Sequence, residues 1–375
     1  MSQRKVLVIL PSYDAGGAEN YALRLIEYAG TEDYEWHVTT GNPNNRGMEP
    51  NFEAAGAAVH TASPGFGLTP RVISFWRFLR RHRFDAVMSL NGVFAGVPMA
   101  LARLSGMPVR VAWHRRSTPA YAQTPGRRAY ARLGLALLNW GSTRILSNSE
   151  AALDTFHGGG WRSSEKFAVI PNGVDAERFR PRPADRPAIR KQLGLADTHF
   201  VVGHVGRVDP AKDHETLFRI VRALHDDDPN VRLLIVGTGT DTPAMQARLA
   251  AYGIADITYA MGVRDDVEML YQAMDVFVFP SVTEGQPNAL IEAMLSGVPV
   301  VASDIAPIRK VLPVEYSSQC FAPKDVQAAC QQVNAAAEVV AETSVSARRR
   351  CQTVFDIEQN LERALTPLRI PSESI

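Results

Sequence analysis

The sequence predicts an α/β protein built from two doubly wound, parallel-sheet domains. Three observations predict it. At 375 residues the chain exceeds what one hydrophobic core usually organises. Short apolar runs alternate along it with stretches whose apolar residues recur at helical spacing. A turn- and proline-rich segment, Val169-Ile-Pro-Asn-Gly-Val-Asp175 followed by Phe179-Arg-Pro-Arg-Pro183 and Pro187, interrupts this alternation near the middle, after which it restarts. Residues 1–172 are therefore expected to form the first domain and 173–350 the second. An amphipathic C-terminal helix at about 351–370 is expected to cross back and complete the first.

Composition is that of an ordinary globular chain, 46% hydrophobic and 21% charged. Cys320, Cys330 and Cys351 show no metal spacing, and reduced thiols in a cytoplasmic chain are the simplest account. Val6 to Leu10 is too short for the apolar core of a signal peptide. The longest apolar stretches, such as Gly92 to Ala102, fall short of the ~20 residues that span a bilayer. The net charge of +1 hides an asymmetry: residues 1–175 carry 19 Lys and Arg against 13 Asp and Glu, the remainder 21 against 26. Between His60 and Arg132 there are 12 arginines and a single acid, Asp85. An anionic partner for the first half is expected, but not nucleic acid, since no binding motif accompanies the charge.

In the first domain Lys5 to Leu10 reads as a buried strand. Pro11-Ser-Tyr-Asp-Ala-Gly-Gly-Ala-Glu19 then leads into a helix carrying Ala22, Leu25 and Ile26. This is the strand–loop–helix corner at which open parallel sheets bind ligands. It is neither a G-x-G-x-x-G fingerprint nor a G-x-x-x-x-G-K-[ST] loop, so neither a tightly held dinucleotide nor an NTPase is indicated. Further strands are expected over 35–40, 86–90, 109–113 and 144–147. Arg71 to Arg83 mixes arginines with Phe75, Trp76, Phe78 and Leu79, which reads as a core-packed helix with a basic outer face; such a helix also suits an anionic membrane surface. Arg80, Arg81, Arg115 and Arg116 are the candidates for an acceptor- or membrane-facing patch. His114 closes a strand at the carboxyl edge of the expected sheet and is a candidate site residue.

In the second domain Val201 to Val205 is a strand, and Gly206-Arg-Val-Asp-Pro-Ala-Lys212 leads to a helix over 215–224. Arg207 and Lys212 thus flank a second corner, and two cations there suit a diphosphate. Strands follow over 233–236 and 257–261, the latter ending in Gly262-Val-Arg-Asp-Asp266. Next comes the apolar run Asp275-Val-Phe-Val-Phe-Pro280, then Ser281-Val-Thr-Glu-Gly-Gln-Pro-Asn-Ala-Leu-Ile-Glu292. Pro287 fits at a helix start, where a missing N–H costs least. The free N–H groups there suit phosphate. Glu284 falls in the turn and Glu292 about one helical turn inside. Alone, the stretch would also pass for an ordinary junction with two solvated glutamates. A final strand is expected over 298–302.

With these stretches in order, the sequence resembles glycosyltransferase family 4, retaining enzymes of the two-domain GT-B fold. The resemblance spans nearly the whole chain. It rests on Gly16-Gly17-Ala-Glu, on Val169 to Asp175, on Gly206 to Lys212, and most of all on Glu284-Gly-Gln-Pro-Asn-Ala-Leu-Ile-Glu292, the family's Glu-x7-Glu pattern, with Ala293-Met-Leu-Ser-Gly-Val-Pro-Val-Val301 behind it. It implies two Rossmann-like domains facing each other across a cleft, acceptor-binding first and donor-binding second. It also implies roles. Arg207 and Lys212 would hold the donor diphosphate. Glu292 would bind the ribose hydroxyls. Glu284, with the backbone around Gly285, Gln286 and Asn288 and the following Ala289 and Leu290, would hold the transferred sugar. Val263 and Arg264 would lie beside the base. Gly16 and Gly17 would lie near the phosphates, and His114 would touch the sugar.

The expected activity is retaining transfer of a hexose from a UDP- or GDP-sugar to a lipid-linked or polysaccharide acceptor. No cofactor and no metal are expected: the cations and helix-start N–H groups suffice to stabilise a leaving diphosphate, and Asp226-Asp-Asp228 reads as a solvated helix end. The expected partners are the nucleotide-sugar, the glycan or lipid-linked acceptor, and an anionic membrane surface to which a cytoplasmic enzyme attaches peripherally. The two glutamates are not read as a hydrolase's acid and base, which in retaining hydrolases stand about 5 Å apart. Two other readings share this architecture, a nucleotide-sugar epimerase and a non-catalytic nucleotide-sugar-binding protein.

Overall fold

A computed structural model describes residues 3–14, 16–40, 47–63, 70–115, 124–337 and 341–369. The chain divides into two compact units, Met1–Gly173 with Glu358–Ile375, and Val174–Ile357. Each is a Rossmann-like α/β domain with a wholly parallel sheet.

The first unit alternates β1 (Arg4–Leu10), α1 (Gly17–Ala29), β2 (Tyr34–Thr40), α2 (Glu49–Ala54), β3 (Ala58–Val59), α3 (Pro70–His82), β4 (Ala86–Ser89), α4 (Gly96–Leu104), β5 (Val109–His114), α5 (Pro125–Gly141), β6 (Arg144–Ser147), α6 (Glu150–His157) and β7 (Phe167–Val169). Its seven strands lie in the order β3-β2-β1-β4-β5-β6-β7. The central strands are mostly apolar, as in Val6 to Leu10, because both faces are covered. Leu7, Ile9, Val87 and Ala112 pack against Phe75 and Leu79 of α3, Met99 of α4, Leu138 of α5 and Leu153 of α6. Trp113 points to the other face, as strand alternation requires, and meets Tyr21 of α1 edge-on with centroids 5.1 Å apart.

The second unit continues with α7 (Arg186–Gln192), β8 (Phe200–Val205), α8 (His214–Asp227), β9 (Val231–Val236), α9 (Pro243–Ala251), β10 (Thr258–Ala260), α10 (Val267–Ala273), β11 (Val276–Phe279), α11 (Asn288–Leu295), β12 (Val300–Ser303), α12 (Ala306–Val311), β13 (Cys320–Phe321), α13 (Val326–Ala337) and α14 (Ala341–Val354). Its six strands run β10-β9-β8-β11-β12-β13. Alternate residues serve two cores. Phe277 and Phe279 face Tyr271, Leu290 and Met294. Val276 and Val278 face Leu217, Phe218 and Val221 of α8.

The last helix, α15 (Ile357–Arg369), packs on the first unit. Its buried face is Leu361, Ala364, Leu365 and Leu368, and Arg363 donates to the carbonyl of Val169 at 3.0 Å. Arg4 bonds the carbonyl of Leu368. The helix expected over about 351–370 is therefore two elements. Residues 351–357 stay with the second unit, because Cys351 and Phe355 are buried in its core and Val174 N–H donates to the Phe355 carbonyl at 2.9 Å.

Candidate active site

Strand order reverses direction twice, between β1 and β4 in the first unit and between β8 and β11 in the second. In open parallel sheets the crevice beyond the carboxyl ends at such a switch point is where ligands bind. The loops that leave these four strands carry most of the motifs singled out above.

In the second unit the loop after β8 and the loop after β11 lie side by side, and Val282 N–H donates to the Ala211 carbonyl at 2.9 Å. Two aspartates shape the first loop. Asp209 caps a single 3-10 turn, Pro210–Lys212, by accepting from Ala211 N–H at 2.9 Å. Asp213, in the left-handed region at φ 47, caps α8 through Thr216, whose hydroxyl donates to it at 2.7 Å. Lys212 is thus held between two fixed caps. Its ammonium donates to Glu284 Oε1 at 2.7 Å and lies 4.7 Å from the centroid of the Phe279 ring. Both partners of this pair are largely enclosed, with side-chain exposures of 19% and 10%. Arg207 differs: it is mostly exposed and pairs with Asp209 Oδ2 at 3.1 Å.

Gly237 makes room for this loop. At φ +136, an ideal Cβ on it would sit 2.4 Å from the Gly206 carbonyl oxygen, so only glycine lets the two loops approach this closely. The Gly262 turn is tied to the same place. Gly237 N–H donates to the Gly262 carbonyl at 2.7 Å, and Gly262 N–H donates to Thr240 Oγ1 at 3.0 Å. Val263 beyond it is exposed, and Arg264 pairs with Asp266 at 2.6 Å. An exposed apolar side chain and a guanidinium on a pinned turn can cover a flat aromatic ring.

The loop after β11 carries Glu284, Gly285 and Gln286, all partly exposed, into α11, whose N-cap is Pro287. Asn288 and Ala289 are half-buried in the first turn. Leu290 belongs to the core rather than to the site: its side chain is fully buried, and its N–H donates to the Pro287 carbonyl at 3.1 Å. Glu292 is oriented by Tyr271 of α10, whose hydroxyl lies 3.1 Å from Glu292 Oε2. Burial, with Glu292 as the next cause, holds the Tyr271 phenol well above its ordinary pKa, so it keeps its proton and donates. The two glutamates therefore have different partners on different elements, a cation for Glu284 and a neutral donor for Glu292.

Behind Lys212, His204 ends the buried part of β8. Its Nδ1 lies 2.9 Å from the Val278 carbonyl and so carries the proton. Burial, then the neighbouring His214, pushes its pKa well down, and the ring is neutral.

In the first unit the loop after β1 ends at Gly16, the N-cap of α1, and Gly17 is the first helical residue. Glu19, half a turn on, folds back over the loop: Ser12 donates to its Oε1 through the backbone N–H at 3.3 Å and the hydroxyl at 3.4 Å. A Cβ at Gly16 would lie 2.5 Å from the other Glu19 oxygen, so a larger residue there would push the Glu19 carboxylate aside. Burial raises the Glu19 pKa despite those bonds. His114 ends β5 with its ring 1% exposed. The ring stacks on Phe156, centroids 4.9 Å apart, and its Nε2 is 3.0 Å from Nε2 of His157. Burial, then the His157 charge, pulls its pKa to about 3. His114 is thus a neutral, enclosed imidazole rather than a surface group.

Arg115 does not share the basic surface with Arg80 and Arg81. Its guanidinium packs over the Tyr21 ring at 4.0 Å and the Trp113 ring at 5.3 Å, and burial pulls its pKa down to about 10. Arg116 lies outside the described residues. Arg80 and Arg81 end α3 and are exposed, Arg80 resting 5.0 Å from the Trp76 ring. The helices α3, α4 and α5, which pack on one face of the sheet, contain Arg71, Arg77, Arg80, Arg81, Arg103, Arg127, Arg128 and Arg132, all exposed, and no acid. Exposed Ile73, Leu104, Leu133 and Trp140 lie among them.

Sequence reasoning passed over Tyr271, Thr240 and His157, because each acts from a different element from the residue it holds. The apolar spacing of the helices that carry Tyr271 and His157, and the glycine turn that carries Thr240, hold no sign of the contact. Among the described residues no group of three or more His, Cys, Asp or Glu is arranged to hold a metal ion. Among them, too, no helix is long and apolar enough to cross a membrane.

Comparison with known proteins identifies the family and the fold. A family model described as Glycosyltransferase Family 4 matches residues 15–178, and one described as Glycosyl transferases group 1 matches residues 199–338. EpsF of Bacillus subtilis, which carries a glycosyltransferase name, is 24% identical over 308 residues, covering 81% of this chain and 80% of that protein. A D-inositol 3-phosphate glycosyltransferase of Streptomyces bingchenggensis is 28% identical over 323 residues, 78% of this chain and 70% of that protein. The crystal structure of Anabaena HepE in complex with UDP superposes with a TM-score of 0.82 at 22% identity, covering 99% of this chain and 100% of that one. The loops built around Lys212, Glu284 and Glu292 fall within the matched regions, and the chain belongs to the GT-B glycosyltransferases of the family 4 type.

Proposed function

We propose that this glycosyltransferase moves a hexose, with retention of configuration, from a UDP- or GDP-sugar to a lipid-linked or polysaccharide acceptor. The observation that carries the reading is the meeting of two loops at one switch point: Lys212 from the loop after β8 contacts Glu284 from the loop after β11. A cation for a diphosphate and a carboxylate for hydroxyls then stand side by side, which is the pair of groups a nucleoside-diphosphate sugar requires. HepE, a structural neighbour, was crystallised with UDP and with UDP-glucose, which supports a donor of this class.

In this reading Lys212 and Arg207 stabilise the charge that builds on the leaving diphosphate, with N–H groups at the start of α11 assisting. No metal takes part. Glu292, aimed by Tyr271, binds ribose hydroxyls, and Glu284 binds the transferred sugar. Val263 and Arg264 cover the base. His114 orients the sugar, and Gly16 and Gly17 let the donor phosphates come close to backbone. The arginine-rich face of α3, α4 and α5 attracts an anionic membrane surface that presents the acceptor, so the enzyme works in cell-envelope or polysaccharide synthesis as a cytoplasmic, peripherally attached protein. A donor screen over UDP-, GDP- and ADP-sugars, reading nucleotide release with and without EDTA, tests this. One class of nucleotide sugar is expected to be consumed, insensitive to EDTA and lost in Lys212→Ala. Consumption unchanged in that variant, or abolished by EDTA, overturns it.

A further inference from the structure

The two residues that the proposed function assigns to different parts of the donor are bonded to each other. Lys212, assigned to the diphosphate, donates a hydrogen bond to Glu284, assigned to the sugar, at 2.7 Å. The Phe279 ring also packs against the ammonium, its centroid 4.7 Å away, and the pair is largely shielded from water. Shielding matters, because an ion pair in a low-dielectric setting is much stronger than one in solvent. Arg207, the other cation of the loop, is paired with Asp209 but stands mostly in water, where such a pair contributes little. Both cations are matched by a carboxylate, but only the Lys212 pair is enclosed.

We propose that Glu284 has a second role: it competes with the diphosphate for Lys212, weakens the hold on a nucleoside diphosphate that has lost its sugar, and so drives product release. This rests on the reading of Lys212 as the diphosphate's cation and Glu284 as the sugar's carboxylate. While the intact donor is bound, the sugar hydroxyls supply Glu284 with donors in place of Lys212, and the ammonium turns to the phosphate. After transfer those hydroxyls leave with the acceptor. Glu284 is then an enclosed carboxylate without its sugar partner, beside a diphosphate of the same sign. It regains Lys212, and the diphosphate loses its cation. Neutralising Glu284 thus has opposite effects on two ligands, tightening the nucleotide and weakening use of the sugar donor. A residue that served only as a sugar contact would leave the affinity for the nucleotide alone unchanged.

Titration calorimetry with UDP and with GDP, comparing the wild type with Glu284→Gln, Lys212→Met and the double variant, tests this on the whole chain, with thermal melts as the check of folding. For whichever nucleotide binds more tightly, Glu284→Gln is expected to lower Kd by about tenfold. Stopped-flow displacement of a fluorescent analogue of that nucleotide is expected to show the gain in a slower dissociation rate. Lys212→Met is expected to raise Kd, and adding Glu284→Gln in that background to change it by less than about twofold. Unchanged or weaker nucleotide binding in Glu284→Gln overturns the proposal, as does a gain that persists without Lys212. If Lys212→Met leaves nucleotide binding intact, the assignment of Lys212 to the diphosphate fails and the proposal with it, an outcome distinct from those two.

Discussion

Tyr271, fully buried on α10, holds its phenol oxygen 3.1 Å from Glu292 Oε2 and 3.0 Å from the carbonyl of Ala289. One proton serves two acceptors on α11, so a single side chain fixes both the first turn of that helix and the carboxylate inside it. Tyr271→Phe keeps the ring in its core and removes only the hydroxyl with its shared proton. Affinity for the nucleotide sugar is expected to fall about three- to tenfold, the weight of one hydrogen bond, with little change in Tm. Calorimetry beside a thermal melt checks it; equal affinity would show that Glu292 needs no such support.

Lys212→Ala removes the enclosed cation, and Glu292→Ala the carboxylate that Tyr271 orients. Each is expected to lower turnover by about a hundredfold or more, the usual cost of losing one preorganised electrostatic group. Nucleotide release from the donor found by screening measures it, with circular dichroism to confirm that the fold persists. Near-wild-type rates in both variants would remove the second unit's switch point as the donor site.

Arg80→Gln with Arg81→Gln takes two charges from an exposed, acid-free helix face. Each basic residue near an anionic bilayer contributes about 1 kcal/mol, so binding to phosphatidylserine vesicles is expected to weaken about tenfold or more while UDP binding is unchanged. Flotation at two salt concentrations reads it out. Wild-type protein that fails to float at low salt would rule out the membrane role of this face.

Gly237→Ala places a methyl group 2.4 Å from the Gly206 carbonyl at φ +136. The strain and the clash together are expected to cost about 2 kcal/mol or more of stability and to shift the loop that carries Arg207. Chemical denaturation measures the first effect and nucleotide affinity the second.

Stability is expected to fall on acidification in a defined window. Burial lowers the pKa of His60, His157 and His214 to about 4 and that of His114 to about 3, from an ordinary 6.5. Between about pH 6.5 and 4 the unfolded chain therefore binds more protons than the folded one, and stability drops as pH falls. His37 and His82, which pack against His60, are shifted the same way. Glu19, shifted upward by burial, opposes the trend, but it is a single group. A Tm that stays flat from pH 7 to pH 4.5 would contradict this window.

Much of the second unit was legible in the residues. The strands at Val201 to Val205 and at Val276 to Phe279 are buried on both faces and so read as continuous apolar runs. The loops after them are marked by Gly206, Pro210, Gly285 and Pro287, residues with fixed backbone consequences. Glu284 and Glu292 were recognisable because nine consecutive positions hold both. The arginine-rich face was legible too, since a charge run needs no folding to be seen. Arg115, by contrast, counted with that face until its neighbours were known. Tyr21 and Trp113 come from α1 and β5, and nothing local to Arg115 announces that two aromatic rings close over it. The C-terminal helix was read as one element because amphipathic spacing continues through it. The break at Asp356 follows from where Cys351 and Phe355 find a core.

The sequence by itself determined the alternation of strand and helix, the division into two α/β domains and the identity of the charged groups in each loop. All of these depend on residue type and on spacing within about twenty positions. Only the tertiary structure decided which groups face one another. Lys212 and Glu284 are 72 positions apart, and Tyr271 and Glu292 meet from successive helices. Such pairings are set by strand order, with β8 beside β11 although two strands intervene in the chain. Strand order is settled by the packing of whole elements, and that leaves no mark on the local pattern of residues.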